Sequence, residues 1–187
     1  MALNFNKDYK FFHIPKTGGN YVRAVIRSTD GIYAEGRHPH AGPLAFGGRH
    51  IFDRSFCCVR DPYTWYQSFY RYRVQNGWKT DHPLDINCRG ESFEEFITNV
   101  LRIWDGNPNG FATALYLKFI PFVKHVLRME NLTPELQRLW KLWNLRWPEG
   151  VPIENTTSKR INTCLPRKLA HKLRLADKDI AVHLGYI

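Results

Sequence analysis

The ten residues FFHIPKTGGN, Phe11 to Asn20, lead from an apolar run into a turn with two adjacent glycines. This pattern predicts a buried strand up to Ile14, a turn around Lys16, and a helix that begins near Asn20. In such a turn several backbone N–H groups point to one spot at the positive end of the helix dipole, and the lysine adds a mobile positive charge. The stretch therefore predicts a binding site for a phosphate-like anion.

The position of the lysine separates this turn from the usual nucleotide-triphosphate loop. In that loop, G-x-x-x-x-G-K-[ST], the lysine follows the glycines, whereas Lys16 precedes the pair Gly18-Gly19. Taken alone, the segment also fits an ordinary tight turn, and that alternative stays open at this point.

A second apolar run, Ser55 to Val59, predicts another interior strand, which is followed by Arg60-Asp61-Pro62. Asp61 as N-cap and Pro62 at the first helical position predict the start of a helix. Its members at helical spacing are Trp65, Ser68, Phe69 and Tyr72. Arg60 and Ser68 would then both reach one phosphate. The alternative is that Arg60 pairs with a surface carboxylate and Ser68 faces solvent.

The two stretches together, HIPKTGG at 13–19 and VRDPYTWYQSFY at 59–70, resemble the sulfotransferases that use 3′-phosphoadenosine 5′-phosphosulfate (PAPS). The similarity is greatest to the branch with carbohydrate and bacterial or viral enzymes. It continues in VLRMENL at 126–132, in the loop 155–160, and in DIAVHLGY at 179–186. The resemblance implies a P-loop-like fold, PAPS as donor, adenosine 3′,5′-bisphosphate as product, and no metal.

The resemblance also implies which residues bind the donor. The first motif would hold the 5′-phosphosulfate, and the Arg-Asp-Pro motif with its serine would hold the 3′-phosphate. The implied donor-binding residues are Lys16, Thr17, Gly18, Gly19, Asn20, Arg60, Ser68, Lys159 and Arg160. There are two departures from the family pattern, since Asn20 stands where Thr or Ser is common and Trp65 where many members have Arg.

Sulfuryl transfer needs a group that offsets charge on the leaving oxygen and a group that accepts the proton of the acceptor. Lys16 suits the first demand. A histidine suits the second because its pKa lies near neutrality. The resemblance favours His40 as this catalytic base, in the segment Arg37-His38-Pro39-His40. The alternatives are His13, His38, His50, His82 and Glu35.

Composition favours one globular domain over residues 1–187, because 43% of the residues are hydrophobic and 14% are aromatic. No run of the sequence is long and apolar enough to predict a membrane span, and no leader precedes the first strand. The four cysteines, Cys57, Cys58, Cys88 and Cys164, lack metal-site spacing. Cys57 and Cys58 are predicted to be small core residues, and a reduced, cytoplasmic setting is expected.

A formal net charge of +10 calls for an anionic partner. Nucleic acid is not the expected partner, because no zinc-finger spacing, RNP-like motif or sustained basic helix is present. The donor accounts for part of the charge, and an anionic glycan or a small alcohol is the expected acceptor. A small kinase and a non-catalytic module for polyanions or nucleic acid are the alternative functions.

The order of elements predicts an α/β fold with a parallel central sheet and helices on both faces. Predicted strands are Lys10–Ile14, Phe56–Val59 and Val123–Met129. Predicted helices begin near Asn20, at Pro62, at Phe93 behind a Ser92–Glu95 capping box, and after Pro134, and a last one runs from Pro166 to near Gly185. Irregular segments are expected at Gly31–Arg54, Gln75–Gly90 and Asp105–Thr113. Ligand is expected at the carboxyl ends of the strands.

Overall fold

The computed structural model describes residues 2–187 except positions 7, 32, 36–41, 47–51, 106, 108 and 153–160. The chain forms two compact units. The sheet unit comprises Met1–Arg60 and Tyr116–Asn155, and the helical unit comprises Asp61–Leu115 and Thr156–Ile187. A single domain over the whole chain stays a prediction.

The sheet unit contains a five-stranded mixed sheet with the strand order β3-β1-β2-β4-β5. The strands are β1 Ala2–Phe5, β2 Tyr9–Phe12, β3 Tyr33–Glu35, β4 Phe52–Val59 and β5 Val123–Arg128. The three that the sequence predicts, β2, β4 and β5, are parallel neighbours, while β1 is antiparallel to both β2 and β3. The α/β class is therefore confirmed, but the sheet is mixed and not wholly parallel.

The two strands that sequence reasoning missed are short. Strand β1 has four residues and β3 has three, which is too few for an alternating pattern to stand out. A tight turn joins β1 to β2, with Asn6 in the left-handed region at φ 47° and the Asp8 N–H donating to the Asn6 carbonyl. Asparagine tolerates this conformation better than most residues, so the hairpin closes within four residues.

Eight α-helices lie in the described part of the chain. They are α1 Gly19–Ser28, α2 Pro62–Asn76, α3 Pro83–Cys88, α4 Phe93–Ile103, α5 Phe111–Tyr116, α6 Leu132–Leu142, α7 Arg167–Ala176 and α8 Lys178–His183. The predicted starts of α1, α2 and α4 are confirmed to within one residue, because glycine, proline and capping residues act locally. Helix α6 begins at Leu132, before the predicted start after Pro134.

The core of the sheet unit is rich in aromatic side chains. Phe11 and Phe56 stack on neighbouring strands with ring centroids 4.9 Å apart, and Trp140 of α6 meets Phe56 edge-on at 6.1 Å. The Trp140 indole N–H donates to the Thr29 hydroxyl at 3.0 Å, at the end of α1. Helices α1 and α6 therefore pack in one core cluster with the strands.

In the helical unit, α2 begins as predicted, with the Asp61 carboxylate accepting from the Thr64 N–H at 2.9 Å. Trp65, Ser68, Phe69 and Tyr72 were expected to share one face. All four lie within this helix at that spacing; Trp65 and Phe69 are buried, whereas Tyr72 is 38% exposed. The buried face of α2 is Trp65, Tyr66, Phe69, Tyr70 and Arg73.

Three expectations for the helical unit were wrong. The single last helix is divided into α7 and α8 at Asp177, whose buried carboxylate accepts bonds from Tyr66 and Thr113 and so removes this residue from the helix. The six-residue helices α3 and α5 lie wholly or partly in segments expected to be irregular. Helices of this length show too little periodicity to be recognised.

Cys57, Cys58 and Cys88 are buried, and Cys164 is exposed. Burial raises the pKa of the Cys57 and Cys58 thiols, and it raises that of Cys88 to about 11. The prediction that Cys57 and Cys58 are core residues is confirmed. None of the helices in the described ranges has the length and apolar character to cross a membrane.

Candidate functional site

The parallel strands of the sheet unit end at one edge. Phe12 pairs with Cys57, so continuing the register places Ile14 opposite Val59, and Val59 pairs with Arg128. Three segments therefore leave the sheet at this edge: the turn around Lys16, the residue Arg60, and the short 3-10 helix Met129–Asn131. The sequence prediction that Lys16 and Arg60 follow neighbouring strand ends agrees with this register.

The turn that follows β2 has an unusual backbone. Lys16 has φ 66° and Gly18 has φ 83°, so two of three successive residues are in the left-handed region. Between them, Thr17 is fully buried and its hydroxyl donates to the Ile14 carbonyl at 2.7 Å. A Cβ on Gly18 would lie 2.7 Å from Leu132 Cδ2, so glycine is required there for space as well as for backbone conformation.

The start of α1 lies directly over a buried histidine. A Cβ on Gly19 would overlap the His13 imidazole, which is only 7% exposed and stacks on Phe11 at 5.8 Å. The pair Gly18-Gly19 thus lets the chain turn into α1 in close contact with β2 and α6. A role as proton acceptor does not fit His13, because its ring packs beneath the helix start.

The amino end of α1 has the properties of an anion site. The first turn contains no acidic residue, and within the described residues no side chain caps it. Asn20 is exposed in that turn, and Lys16 is half-buried just before it. Backbone N–H groups at a helix start carry partial positive charge. The arrangement can hold a tetrahedral anion between the helix start and the lysine ammonium.

Arg60 is held by the last residue of α5. The Tyr116 hydroxyl donates to the Arg60 carbonyl at 2.7 Å and accepts from the Arg60 N–H at 3.3 Å. Tyr116 is fully buried, while Arg60 is half-buried. Sequence reasoning missed Tyr116, because no local signal shows which partner a buried tyrosine hydroxyl will find 56 residues away.

The helical unit contains Ser68, which is half-buried on α2. Its neighbours on that helix hold an extended segment: the Gln67 amide donates to the Thr163 carbonyl at 3.1 Å, and Arg71 donates to the Ile161 carbonyl at 3.4 Å and to the Thr163 hydroxyl at 2.5 Å. Lys159 and Arg160 lie outside the described residues, and Ile161 is the residue directly after them.

The candidate bases are only partly described. His38, His40 and His50 lie outside the described residues. Glu35 is the last residue of β3, but its side chain also lies outside the described part of the structure. His82 caps α3, because its Nδ1 accepts from the Leu84 N–H at 3.3 Å.

The helical unit buries a polar cluster that the sequence does not reveal. The Asp177 carboxylate accepts from the Tyr66 hydroxyl at 2.9 Å, from the Thr113 N–H at 2.7 Å and from the Thr113 hydroxyl at 2.6 Å. Burial raises the pKa of Asp177 even though these bonds favour the charged form. The cluster joins α2, the start of α5 and the break between α7 and α8.

Comparison of the chain with protein-family models, with curated proteins and with solved structures found no match. In the part of the chain that the structure describes, no group of three histidine, cysteine or acidic side chains could hold a metal ion.

Proposed function

We propose that this chain is a PAPS-dependent sulfotransferase with a P-loop-like core, formed by β2, β4 and β5 and the turn into α1. The observation that carries the proposal is the glycine turn after β2. This turn leaves the amino end of α1 without a side-chain cap, directly after Lys16. Arg60 follows the neighbouring strand β4 at the same edge of the sheet. A donor with a phosphosulfate at one end and a phosphate at the other needs two such cationic positions.

In this proposal the backbone N–H groups from Thr17 to Asn20 bind the 5′-phosphosulfate. Their dipoles already point at the anion before the reaction begins, so no reorientation is needed. Lys16 reaches the bridging oxygen between phosphorus and sulfur. Arg60 binds the 3′-phosphate through charge-assisted hydrogen bonds. The resemblance adds Ser68, Lys159 and Arg160 to the residues that bind the donor.

The reaction is in-line sulfuryl transfer. An acceptor hydroxyl or amine attacks sulfur, the bond from sulfur to the bridging oxygen breaks, and adenosine 3′,5′-bisphosphate leaves with the negative charge that Lys16 offsets. His40 takes the proton from the acceptor. The acceptor classes in this proposal are an anionic glycan and a small alcohol.

One contact argues against the alternative of a small kinase. Phosphoryl transfer in P-loop enzymes uses the serine or threonine after the loop lysine to coordinate magnesium. Thr17 holds that place here, but its side chain is fully buried and its hydroxyl donates to the Ile14 carbonyl. Coordinating magnesium would require this fully buried hydroxyl to become accessible, so sulfuryl transfer is favoured.

The decisive experiment measures release of adenosine 3′,5′-bisphosphate from PAPS with a panel of acceptors. Lys16→Ala should lower turnover by about a hundredfold to a thousandfold, the range for loss of one group that stabilises developing charge. The matched control is Lys124→Ala, which removes an exposed lysine of the same unit and should leave turnover unchanged.

Two results would contradict the proposal. Turnover of Lys16→Ala above about a tenth of the wild-type value would be too high for loss of a group that stabilises developing charge, and would remove Lys16 from the mechanism. A thermal shift with ATP and magnesium but none with PAPS would favour the kinase. A module that only binds polyanions would bind PAPS weakly and release no product.

The base is tested by pH dependence. With His40 as proton acceptor, turnover should rise with pH through an apparent pKa of roughly 6 to 7. His40→Ala should flatten this limb and lower turnover by about a hundredfold, within the usual range for general-base catalysis. His38→Ala is the control. If His38→Ala abolishes turnover and His40→Ala does not, His38 is the base instead of His40.

A further inference from the structure

The two hydrogen bonds from Tyr116 to Arg60 have an unusual geometry, because a single side-chain hydroxyl binds both backbone polar groups of one residue. The N–H of Arg60 belongs to the peptide plane that precedes it, and the carbonyl belongs to the plane that follows. Binding both fixes the orientation of the two planes on either side of one Cα. The direction in which the arginine side chain leaves the backbone is thereby fixed as well.

The place of Arg60 in the chain explains why such support is needed. Val59 is the last residue of β4 and still pairs with Arg128 of β5, whereas α2 begins only at Pro62. Arg60 therefore lies between two regular elements, where neither a strand ladder nor a helix determines its backbone angles. The Tyr116 hydroxyl forms the hydrogen bonds to Arg60 that a neighbouring strand would form within a sheet.

The hydroxyl is itself held firmly. Tyr116 is the last residue of α5, its side chain is fully buried, and its carbonyl accepts from the Phe119 N–H at 2.9 Å in the turn that follows. A buried ring has little freedom to change rotamer. A group that orients another group is effective only when packing fixes its own position, and Tyr116 meets this condition.

We propose that Tyr116 is a positioning residue for donor binding, acting through Arg60 on the 3′-phosphate of PAPS. This inference depends on the proposed function, since it gives a supporting partner to a residue of the same site. An arginine binds phosphate best when two N–H groups meet two oxygens, and this geometry is sensitive to the direction of the side chain. Loss of the hydroxyl should therefore weaken donor affinity and leave the transfer step itself unaffected.

The first test is the variant Tyr116→Phe, which removes the hydroxyl and keeps the ring. We expect the KM for PAPS to rise by about tenfold, while kcat per folded molecule at saturating donor stays within about twofold, because only binding is affected. The KM for adenosine 5′-phosphosulfate, which lacks the 3′-phosphate, should not change. Circular dichroism measures the folded fraction of each variant, and KM does not depend on that fraction.

The matched control is Tyr66→Phe. Tyr66 is also fully buried, and its hydroxyl binds Asp177 at 2.9 Å within the helical unit. This variant loses a buried tyrosine hydroxyl whose described bonds are to Asp177 and to the Ala112 N–H, so its KM for PAPS should equal the wild-type value. A rise in KM for both variants would mean that losing either buried hydroxyl disturbs the donor site without acting specifically through Arg60, and would overturn the inference.

The second test is a double-mutant cycle. If Tyr116 acts through Arg60, then Tyr116→Phe should cause no further rise in KM for PAPS when Arg60 is already alanine. Additive effects would overturn the inference, and so would equal changes for the two donors. If Arg60→Ala raises the KM for PAPS and Tyr116→Phe does not, the inference is overturned and the proposed function is not. Absence of PAPS binding by the wild-type chain would overturn both.

Discussion

The sheet unit and the helical unit are held together in different ways. In the sheet unit, strand register and aromatic packing set the geometry. The ion pair Arg54–Asp8 is exposed there, with side chains 56% and 63% accessible, and in the pair Arg128–Glu135 only the carboxylate is buried. In the helical unit, charged groups are buried: Arg73 and Asp85 meet at 2.8 Å with side chains 7% and 0% accessible. Breaking the buried pair Arg73–Asp85 should therefore cost more stability than breaking the exposed pair Arg54–Asp8.

The largest effect is expected for Asp85→Asn. This change leaves the buried Arg73 guanidinium without its counter-charge and should lower the free energy of unfolding by about 3–5 kcal/mol. The matched change in the sheet unit is Asp8→Asn, which breaks an exposed pair and should cost less than about 1 kcal/mol. Urea denaturation of both variants measures the difference. Equal losses would mean that the two units do not differ as described.

A smaller loss of stability, combined with a loss of function, is expected for Gly19→Ala. The new methyl group would overlap the His13 imidazole and should cost about 1–3 kcal/mol through overpacking. Because the start of α1 must move, PAPS binding should also be lost, which calorimetry will show. The control for binding is Gly77→Ala, which should also lose stability through backbone strain at φ 85°, but which has no atom within 4 Å of the added Cβ and should keep its PAPS affinity. Unchanged PAPS affinity in Gly19→Ala would mean that the helix start does not bind the donor.

A loss of about 1–2 kcal/mol is expected for Tyr66→Phe, which removes one of the bonds to the buried Asp177 carboxylate. The same hydroxyl also accepts from the Ala112 N–H at 3.1 Å, so a backbone donor loses its partner too. Thermal unfolding measures the loss. A variant as stable as the wild type would show that buried polar contacts do not hold the helical unit together.

The smallest effect concerns pH. Burial lowers the pKa of His82, so the folded state favours the neutral ring, whose Nδ1 caps α3. A group with a lowered pKa contributes stability above its unfolded value of about 6.5, and this contribution is lost as the pH falls below that value. His82→Asn keeps a capping acceptor without the titration. The unfolding midpoint of the wild type should therefore fall more steeply below pH 6.5 than that of the variant, and parallel curves would contradict this role.

Several features could be predicted from the sequence because their causes lie within a few residues. Pro62 behind Asp61, and Phe93 behind Ser92, mark helix starts through backbone N–H groups that the neighbouring side chain satisfies. The glycine pair at 18–19 marks a turn because Gly18 favours the left-handed backbone and Gly19 leaves space for the His13 ring. The three parallel strands could be recognised from the short apolar runs that they contain, Phe11-Phe12, Phe56 to Val59 and Val126-Leu127.

Other features depended on contacts between residues far apart in the chain. The break at Asp177 follows from bonds to Tyr66 and Thr113, which are 111 and 64 residues away. His82 resembled a loop histidine in sequence, yet the fold makes it a helix cap between aromatic rings.

The sequence by itself thus determined which residue types meet at the strand ends, since strand length, turn chemistry and capping are local properties of the chain. The tertiary structure decided how those residues are held: that the Thr17 hydroxyl is engaged inside the turn, that His13 packs beneath α1, and that Tyr116 orients Arg60. The physical reason is that a buried polar group must find a partner, but only the folded chain determines which one is near.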